Sequence, residues 1–474
     1  MSLTTDSERW TARNIAMFWP MIGRAAMLVC GAVYYSLLIR SYTVVDSVLY
    51  DGFVYSPPDP NYVVLGQVCA VIPLIWMRTS VERPSQIAYW MMYLLVYVPC
   101  TFAPFHVSDR PDSQIAAVPL TMLGMFWLLH WLIQGHSWTL PTPRLPERTV
   151  MGIILILTVA LTFAVVLTAG TFSMNFSLDS EIYDRRAVAA EITDRNRLLS
   201  YAAATLGGSL VPLAVAVGIV KRSMKHLAAG LVGAIALFSF AGTKGDLFTP
   251  LFILAAYVAL NRWQHRFGIL TLGFSIVLVV AAMVQFEWTG RYEISSFLVR
   301  RQLIMPGVLT GYYWDFFADG PFQYYSDRFL SWLIRSPYDL PTAVLIGDRY
   351  FADKSSANAN IWASGFAHLG YFGMFLATFM LAAFLRLMDG LAERGNRVLA
   401  QLVVFPFALA WANAAFETTL LSNGVCLSYL LLALLLNPKP NDVPAAYDRP
   451  TASLSAGIRQ PNSPFAGQRR LFGR

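Results

Sequence analysis

Charged residues are scarce in this chain of 474 residues, where Asp, Glu, Lys and Arg together make up 13%. A soluble domain carries about twice that share. Apolar residues make up 56% of the chain, which is more than one soluble core of this size can bury. Runs of about 18–22 apolar residues recur along the sequence, and each is long enough to cross a bilayer. The composition therefore excludes a soluble globular protein and predicts an all-α, multi-pass membrane protein.

Cysteine is also rare, with four residues in the whole chain. All four fall within apolar runs and form neither a disulfide framework nor a Cys-x-x-Cys or Cys/His cluster, so we predict that they are small packing residues. The sequence also has no Asp-x-Asp pair of the kind that holds a divalent ion in many sugar-nucleotide enzymes. We therefore expect no metal and no other cofactor.

The formal net charge is +7, which in a soluble protein would suggest a nucleic-acid partner. In membrane proteins, however, Lys and Arg accumulate in the cytoplasmic loops, so an excess of positive charge is expected without one. We predict membrane lipid, and no nucleic acid, as a partner.

The apolar runs predict about twelve transmembrane helices. Connections after even-numbered helices are basic, as in "RTSVERPS" and "RLMDGLAERGNR", whereas most connections after odd-numbered helices carry Asp, as in "HVSDRPDSQ". The basic set is expected in the cytoplasm, which also places both termini there. The predicted spans are 15–39, 61–77, 87–103, 115–133, 149–170, 199–220, 226–241, 246–261, 268–286, 366–386, 399–415 and 420–436.

This topology divides the chain into four parts. Residues 1–286 hold nine spans and a charged external segment at 171–198. Residues 287–365 form a large external loop, which is far longer than an ordinary connection and too rich in aromatic residues to remain solvated. Residues 366–437 hold three spans. The tail at 438–474 is rich in Pro, Ser, Asn and Arg and is predicted to be disordered in the cytoplasm.

The stretch "FSFAGTKGDLFTPLF" places Lys244 in a short turn between two apolar runs, at the predicted external end. An ionisable group near membrane depth generally faces a partner, a cavity or a pathway. One interpretation is that Lys244 extends to the interface and pairs with Asp246. The other is that it binds an anionic group at the outer surface, for which phosphate is the natural candidate.

Arginines are unexpectedly frequent in the predicted external loops, because positive residues normally favour the cytoplasmic side. They either pair with carboxylates or hold a diphosphate, which guanidinium groups grip by bidentate contacts without a metal. The cations that we predict to bind a diphosphate are Lys244, Arg197, Arg291, Arg300, Arg301 and Arg328.

Two motifs resemble one family of membrane enzymes. A helix ends in Gly-Thr-Lys at Lys244 and is followed by a further apolar helix and a large external loop. Later, "SSANANIWASGFAHLGYFGMFLATFMLAAFLRLMDGLAER" at 355–394 joins a Ser/Asn-rich stretch to a Gly-x-x-Gly turn, a span and a charged helix end. Together these features, over roughly residues 225–400, resemble the Wzy-type oligosaccharide repeat-unit polymerases (O-antigen polymerases). At the position of Lys244, that family usually carries arginine.

The resemblance implies a metal-independent membrane glycosyltransferase of GT-C-like architecture in the bacterial inner membrane. Such an enzyme transfers a growing glycan from undecaprenyl diphosphate to a lipid-linked repeat unit at the periplasmic face, in O-antigen or exopolysaccharide synthesis. Its implied partners are the undecaprenyl-diphosphate-linked oligosaccharide, a chain-length regulator and the flippase of the same pathway.

A polymerase of this kind needs a base that accepts the proton of the attacking sugar hydroxyl. Asp315, within "GYYWDFF", is our first candidate for this catalytic role, and Asp348 and His368 are the alternatives. A lone histidine at a helix end is also often only a structural hydrogen-bonding group. Sugar-binding candidates share an amide or an aromatic face, and they are Asn358, Asn360, Tyr312 and Trp314.

Two other functions fit the same topology. A lipid-linked oligosaccharide flippase often has twelve spans built from two similar halves, but this chain shows no internal self-similarity and has one dominant external segment. A lipid-glycan ligase, which transfers finished polymer to another acceptor, is expected to share the polymerase architecture. The sugars, their linkage and the oligomeric state are not encoded in these patterns.

Overall fold

The structure is a computed structural model that describes residues 6–50, 52–169, 188–189, 191–193, 195–242, 244–327, 330–352 and 356–437. Side chains are described from Gly23 onward, with the exception of Lys244. Arg328, the predicted tail at 438–474 and most of the predicted external segment at 171–198 lie outside the described residues. Within the described ranges the regular secondary structure is entirely helical.

Most of the helices coincide with predicted spans. The helices at 295–317 and 342–350 were not predicted, and the predicted span at 420–436 is divided into two short helices. The helix ends reflect local chemistry. Asp59, for example, caps the second helix by accepting a hydrogen bond from the backbone N–H of Asn61 at 2.8 Å, and Pro60 occupies the first helical position. The helices are Asp6–Ser41, Pro60–Val71, Pro84–Val107, Asp112–Ile133, Glu147–Ala169, Arg197–Val220, Met224–Ala241, Lys244–Trp263, Phe267–Thr289, Ser295–Ile304, Met305–Phe317, Thr342–Tyr350, Ile361–Arg394, Arg397–Trp411, Phe416–Leu421 and Val425–Leu435.

The chain is a polytopic membrane protein, because eight of its described segments are long and apolar enough to cross a bilayer. One of the eight, Gly245–Thr289, consists of two helices joined by the turn Gln264–Arg266. Three further apolar helices are shorter: Pro60–Ile75, Arg397–Trp411 and Val425–Leu435. The count of twelve spans stays a prediction.

The connections rich in Lys and Arg meet at one end of the bundle, which we call the basic end. There the Thr79 hydroxyl donates to the His265 carbonyl at 3.2 Å, and the Gln401 amide donates to the Val81 carbonyl at 3.4 Å. Arg394 donates to the Leu140 carbonyl at 2.8 Å. Residues that are far apart in sequence are therefore joined at this end, as the alternation of loop charge predicts.

The connections that carry aspartate meet at the opposite end, which we call the aspartate end. The backbone N–H of Asp59 donates to Asp112 at 2.8 Å, and the Tyr312 hydroxyl donates to the Gly52 carbonyl at 2.6 Å. Asn413 donates to Gln302 at 3.4 Å. This end gathers loops from both halves of the sequence.

The predicted external loop at 287–365 is partly built into the bundle. Its residues 295–317 are helical, with a bend at Ile304. Ser295 and Asp315 contact residues at the aspartate end, whereas Gly307 between them packs against the Pro99 carbonyl, about two turns inside the Pro84–Val107 helix. Residues 295–317, which we call the re-entrant segment, therefore enter the bundle and return to the same end.

A second reversal lies at Gly370, where the helix Ile361–Arg394 is not continuous. Leu369 and Gly370 have non-helical dihedral angles, and Gly370 has φ +60° and ψ −142°, which only glycine adopts readily. The backbones of Gly365 and Gly373 lie so close that a Cβ on either would overlap the other. The short helix before Gly370 therefore folds back on the long helix after it, and the turn that was predicted from Gly-x-x-Gly occurs here.

Candidate functional site

Arg300 lies on the first half of the re-entrant segment, at the aspartate end. The Cζ atom of its guanidinium group lies 3.7 Å above the centre of the Tyr50 ring and 5.8 Å from the centre of the Phe53 ring. The Nε atom is buried and has no hydrogen-bond partner among the described residues. A guanidinium stacked in this way is held in place by cation–π attraction, and it keeps one donor unused.

Asp46 is a buried carboxylate close enough to Arg300 for their charges to interact. Its side chain is fully buried, and its Oδ1 atom accepts a hydrogen bond from the Ser295 hydroxyl at 3.2 Å. The Oδ2 atom is buried without a hydrogen-bond partner in the part of the chain that the structure describes. A buried carboxylate with an unbonded oxygen is costly and therefore generally has a function. Arg300 and Asp46 form the core of the candidate site.

Asp46 was missed by the sequence reasoning, although its signal is visible in the sequence. It stands in "YTVVDSVLY", where a single carboxylate follows an apolar run. An acidic residue at the end of a span is ordinary by itself. Only the packing of the first helix against the re-entrant segment places this carboxylate next to an arginine.

Asp315, our first candidate for the base, has both carboxylate oxygens engaged. Oδ1 accepts hydrogen bonds from the Ser108 hydroxyl at 2.6 Å and from the Arg110 Nε atom at 3.1 Å. Oδ2 accepts from the Tyr350 hydroxyl at 3.4 Å. The pKa of Tyr350 is raised well above its ordinary value, mainly by burial and secondly by the nearby Asp315 carboxylate. This hydroxyl therefore stays protonated and continues to donate. This arrangement does not fit a free base, and it fixes loop positions instead.

The aromatic candidates are packed against other rings of the protein. Tyr312 stacks on Tyr350, with ring centres 4.2 Å apart, and Trp314 stacks on Phe366 at 4.3 Å. Both candidate side chains are buried. The predicted sugar-binding role does not fit these positions, because both ring systems already pack within the bundle.

His368 is fully buried at the Gly370 reversal. Its ring stacks on Tyr325 at 4.1 Å, and its Nδ1 atom lies 3.9 Å from the Asp327 carboxylate. Asp327 also accepts hydrogen bonds from the backbone N–H and the hydroxyl of Thr342. Tyr324 and Tyr325 both have positive φ, which is strained for aromatic residues. The alternative base thus lies in a second polar cluster of the aspartate end, with Asp327 as a neighbour that the sequence did not indicate.

Asn360 has a structural role rather than an exposed, sugar-binding one. It is fully buried and caps the helix that follows by accepting hydrogen bonds from the backbone N–H groups of Trp362 and Ala363. Its amide nitrogen donates to the Pro306 carbonyl at 3.1 Å and to the Thr310 hydroxyl at 2.8 Å. The predicted sugar contact therefore does not fit.

The other predicted residues lie at or near the protein surface. Asn358 is exposed, and its amide donates to the Ser356 hydroxyl at 3.3 Å. Arg291 is exposed, with its Nε atom 4.0 Å from Glu293. Asp348 is exposed at the end of the Thr342–Tyr350 helix. Arg197 and Arg301 are also exposed.

Lys244 is the first residue of its helix, so the predicted turn is present. A Cβ on Gly207 would meet the side chain of Asp246, which places this turn beside the Arg197–Val220 helix, whereas Arg300 stacks on Tyr50. The described contacts thus give Lys244 and Arg300 different neighbours at the aspartate end. Two cavities have volumes of about 320 and 420 Å³, and Arg300 lines neither of them.

Among the described residues, no group of three His, Cys, Asp or Glu side chains is arranged to hold a metal ion. Comparisons of the chain with protein-family models, with curated proteins and with solved structures find no match. The likeness to Wzy-type polymerases therefore stays a prediction from sequence motifs. The structure itself defines a polytopic helical membrane protein with a half-buried, stacked arginine near a buried carboxylate.

Proposed function

We propose that the chain is a polysaccharide polymerase of the bacterial inner membrane. It transfers a growing glycan from undecaprenyl diphosphate to a lipid-linked repeat unit, and the aspartate end of a twelve-span bundle faces the periplasm. The observation that carries the proposal is the stacked, partly desolvated Arg300 beside the buried carboxylate of Asp46.

In this reaction the acceptor sugar hydroxyl attacks the anomeric carbon of the growing glycan. The hydroxyl proton passes to Asp46, the bond from the anomeric carbon to the diphosphate oxygen breaks, and its electron pair leaves with the lipid diphosphate. Arg300 stabilises the developing negative charge, because a cation held away from water interacts more strongly than one in solvent. Because Asp46 is fully buried, neighbouring side chains must move for the substrate to reach it.

Asp46 replaces Asp315 as our candidate base because Asp46 has an unbonded oxygen, whereas the carboxylate of Asp315 is already bonded to Ser108 and Arg110. The exposed cations Arg291 and Arg301 lie close in sequence to Arg300. They are suited to guide an anionic lipid headgroup towards the site.

The re-entrant segment supports a lipid-linked substrate. Interrupted helices at membrane depth are tolerated where they are buried in protein or line a site. The same feature favours a second candidate function, because discontinuous helices also form the binding sites of many transporters. A lipid-linked oligosaccharide flippase is therefore the alternative that an experiment has to separate from a polymerase.

The test is deletion of the gene, followed by gel analysis of the surface glycan and of lipid-linked intermediates. A polymerase deletion is expected to leave single repeat units at the surface. A deletion that instead traps lipid-linked units on the cytoplasmic side of the membrane assigns the flippase function.

Complementation then tests the site. Arg300→Gln and Asp46→Asn are expected to shorten the polymer to one or a few repeats, and Arg300→Lys to restore it only in part, because lysine lacks the planar fork. Arg335→Gln is the matched control, since Arg335 is exposed in the same loop region. Full-length polymer from stably inserted Arg300→Gln protein would falsify the site.

A further inference from the structure

A cavity of about 320 Å³ opens at the basic end, far from the Arg300 site. Its polar lining comes from Arg24 on the first helix and from Arg78, Thr79 and Ser80 in the connection that follows Ile75. Gly23, Met27 and Ile269 complete the lining, which contains no carboxylate among the side chains that the structure describes. A concave surface with two cations and two hydroxyl side chains is suited to a phosphate group.

Arg24 is positioned by the backbone of the neighbouring helix. Its Nη1 atom donates to the carbonyls of Leu74 and Met77, at 2.8 and 2.6 Å. These contacts hold the guanidinium at the cavity. Among the described residues they use only one of its three nitrogen atoms, which leaves the donors of the other two for a ligand. Arg78 is exposed beside it.

The surroundings of the cavity indicate a lipid rather than a soluble phosphate compound. Ile269 lines the cavity and is 41% exposed, and the neighbouring Val29 and Ile75 are 62% and 58% exposed. Ile269 and Val29 belong to two candidate membrane spans, and Ile75 belongs to the shorter apolar helix Pro60–Ile75. A headgroup in the cavity would therefore have acyl chains lying along adjoining apolar surface.

We propose that this cavity binds the phosphate headgroup of an anionic phospholipid. Basic pockets between membrane helices on the cytoplasmic side are suited to such headgroups, and each Lys or Arg near the lipid surface contributes about 1 kcal/mol. The site depends on the geometry of the basic end and is independent of the proposed polymerase activity.

The test uses the full-length protein purified in a neutral detergent. Native mass spectrometry is carried out with phosphatidylglycerol, with phosphatidylcholine and with inorganic phosphate, for the unaltered protein and for Arg24→Gln, Arg78→Gln and the double variant. The control is Arg148→Gln, because Arg148 is exposed at the basic end but does not line the cavity. Circular dichroism of each variant checks that the helices are retained.

We expect the unaltered protein and Arg148→Gln to retain phosphatidylglycerol in preference to phosphatidylcholine. Each single cavity variant should weaken phosphatidylglycerol binding about fivefold, and the double variant about 25-fold. The proposal is overturned if the folded double variant binds phosphatidylglycerol like the unaltered protein, or if the two lipids bind equally. Displacement of the lipid by millimolar inorganic phosphate would assign the cavity to a free phosphate compound instead.

Discussion

The Nε atom of Arg110 lies 3.1 Å from Oδ1 of Asp315, and the same guanidinium group reaches Oδ2 of Asp319 at 2.6 Å. Arg110 belongs to the short loop after the Pro84–Val107 helix, and the two aspartates belong to the end of the re-entrant segment. One arginine therefore fastens this end of the segment to the helix along which it packs. Asp315 is accordingly an anchoring residue in this structure.

Asp315→Asn is expected to destabilise the protein by about 1–3 kcal/mol, because it removes one of the two carboxylates that Arg110 contacts and weakens the hydrogen bond from Ser108. Thermal unfolding in detergent, followed by tryptophan fluorescence, measures the loss. Asp339→Asn is the control, since Asp339 is exposed in the same loop region. A stable Asp315→Asn protein that makes no polymer would return Asp315 to a catalytic role.

The Arg110–Asp319 pair predicts a pH dependence of stability. Hydrogen bonding and charge attraction from Arg110 lower the pKa of Asp319 below its ordinary value of 3.8. A carboxylate with a lowered folded-state pKa stabilises the fold above pH 3.8, and this contribution is lost as pH falls below that value. The effect is expected to be small and salt-sensitive, because Asp319 is exposed.

Unfolding temperatures of the unaltered protein and of Asp319→Asn, measured between pH 3 and 6 at low and high salt, test this expectation. The difference between the two proteins should shrink as the pH falls below about 4. A difference that is constant over the whole range would show that the pair does not contribute through charge.

Asn360→Ala is expected to cost about 2–4 kcal/mol of stability, because it removes a helix cap and two buried hydrogen bonds, to the Pro306 carbonyl and the Thr310 hydroxyl. Asn358→Ala, two residues earlier at an exposed position, should change the unfolding temperature little. If the unfolding temperatures of the two variants fall by the same amount, the buried hydrogen bonds of Asn360 do not explain the loss of stability.

Gly370→Ala is expected to destabilise the reversal by about 1–3 kcal/mol, because its backbone conformation is strained for any residue with a Cβ. A Cβ there would also meet the Phe322 ring. Gly124→Ala is the matched control, since the structure leaves open space around a Cβ at that helical position. The two variants are compared by their yield and by their unfolding temperature after purification. A Gly370→Ala protein that is more stable than the unaltered protein would contradict the reversal.

Most of the long apolar helices could be predicted with good bounds because apolar runs are a local property of the sequence. The helices at 295–317 and 342–350 could not, since their apolar residues are interrupted by charged and polar ones. The sequence also predicted that the basic connections lie at one end of the bundle. In the structure, the hydrogen bond from Thr79 joins two of these connections, and the one from Gln401 joins the first of them to the helix that follows a third. The candidate site could be predicted only in part. Arg300 was named from the sequence, but its neighbours Asp46 and Tyr50 lie some 250 residues earlier.

The sequence by itself determined that this is a helical membrane protein, because the cost of placing polar backbone and charge in lipid leaves few arrangements for such apolar runs. The tertiary structure alone decided which polar side chains are free to react. Asp315 and Asn360 look available in the sequence, yet Arg110, Ser108, Pro306 and Thr310 engage them. The packing of distant segments determines which groups become hydrogen-bond partners, and the spacing of residues along one segment does not predict it.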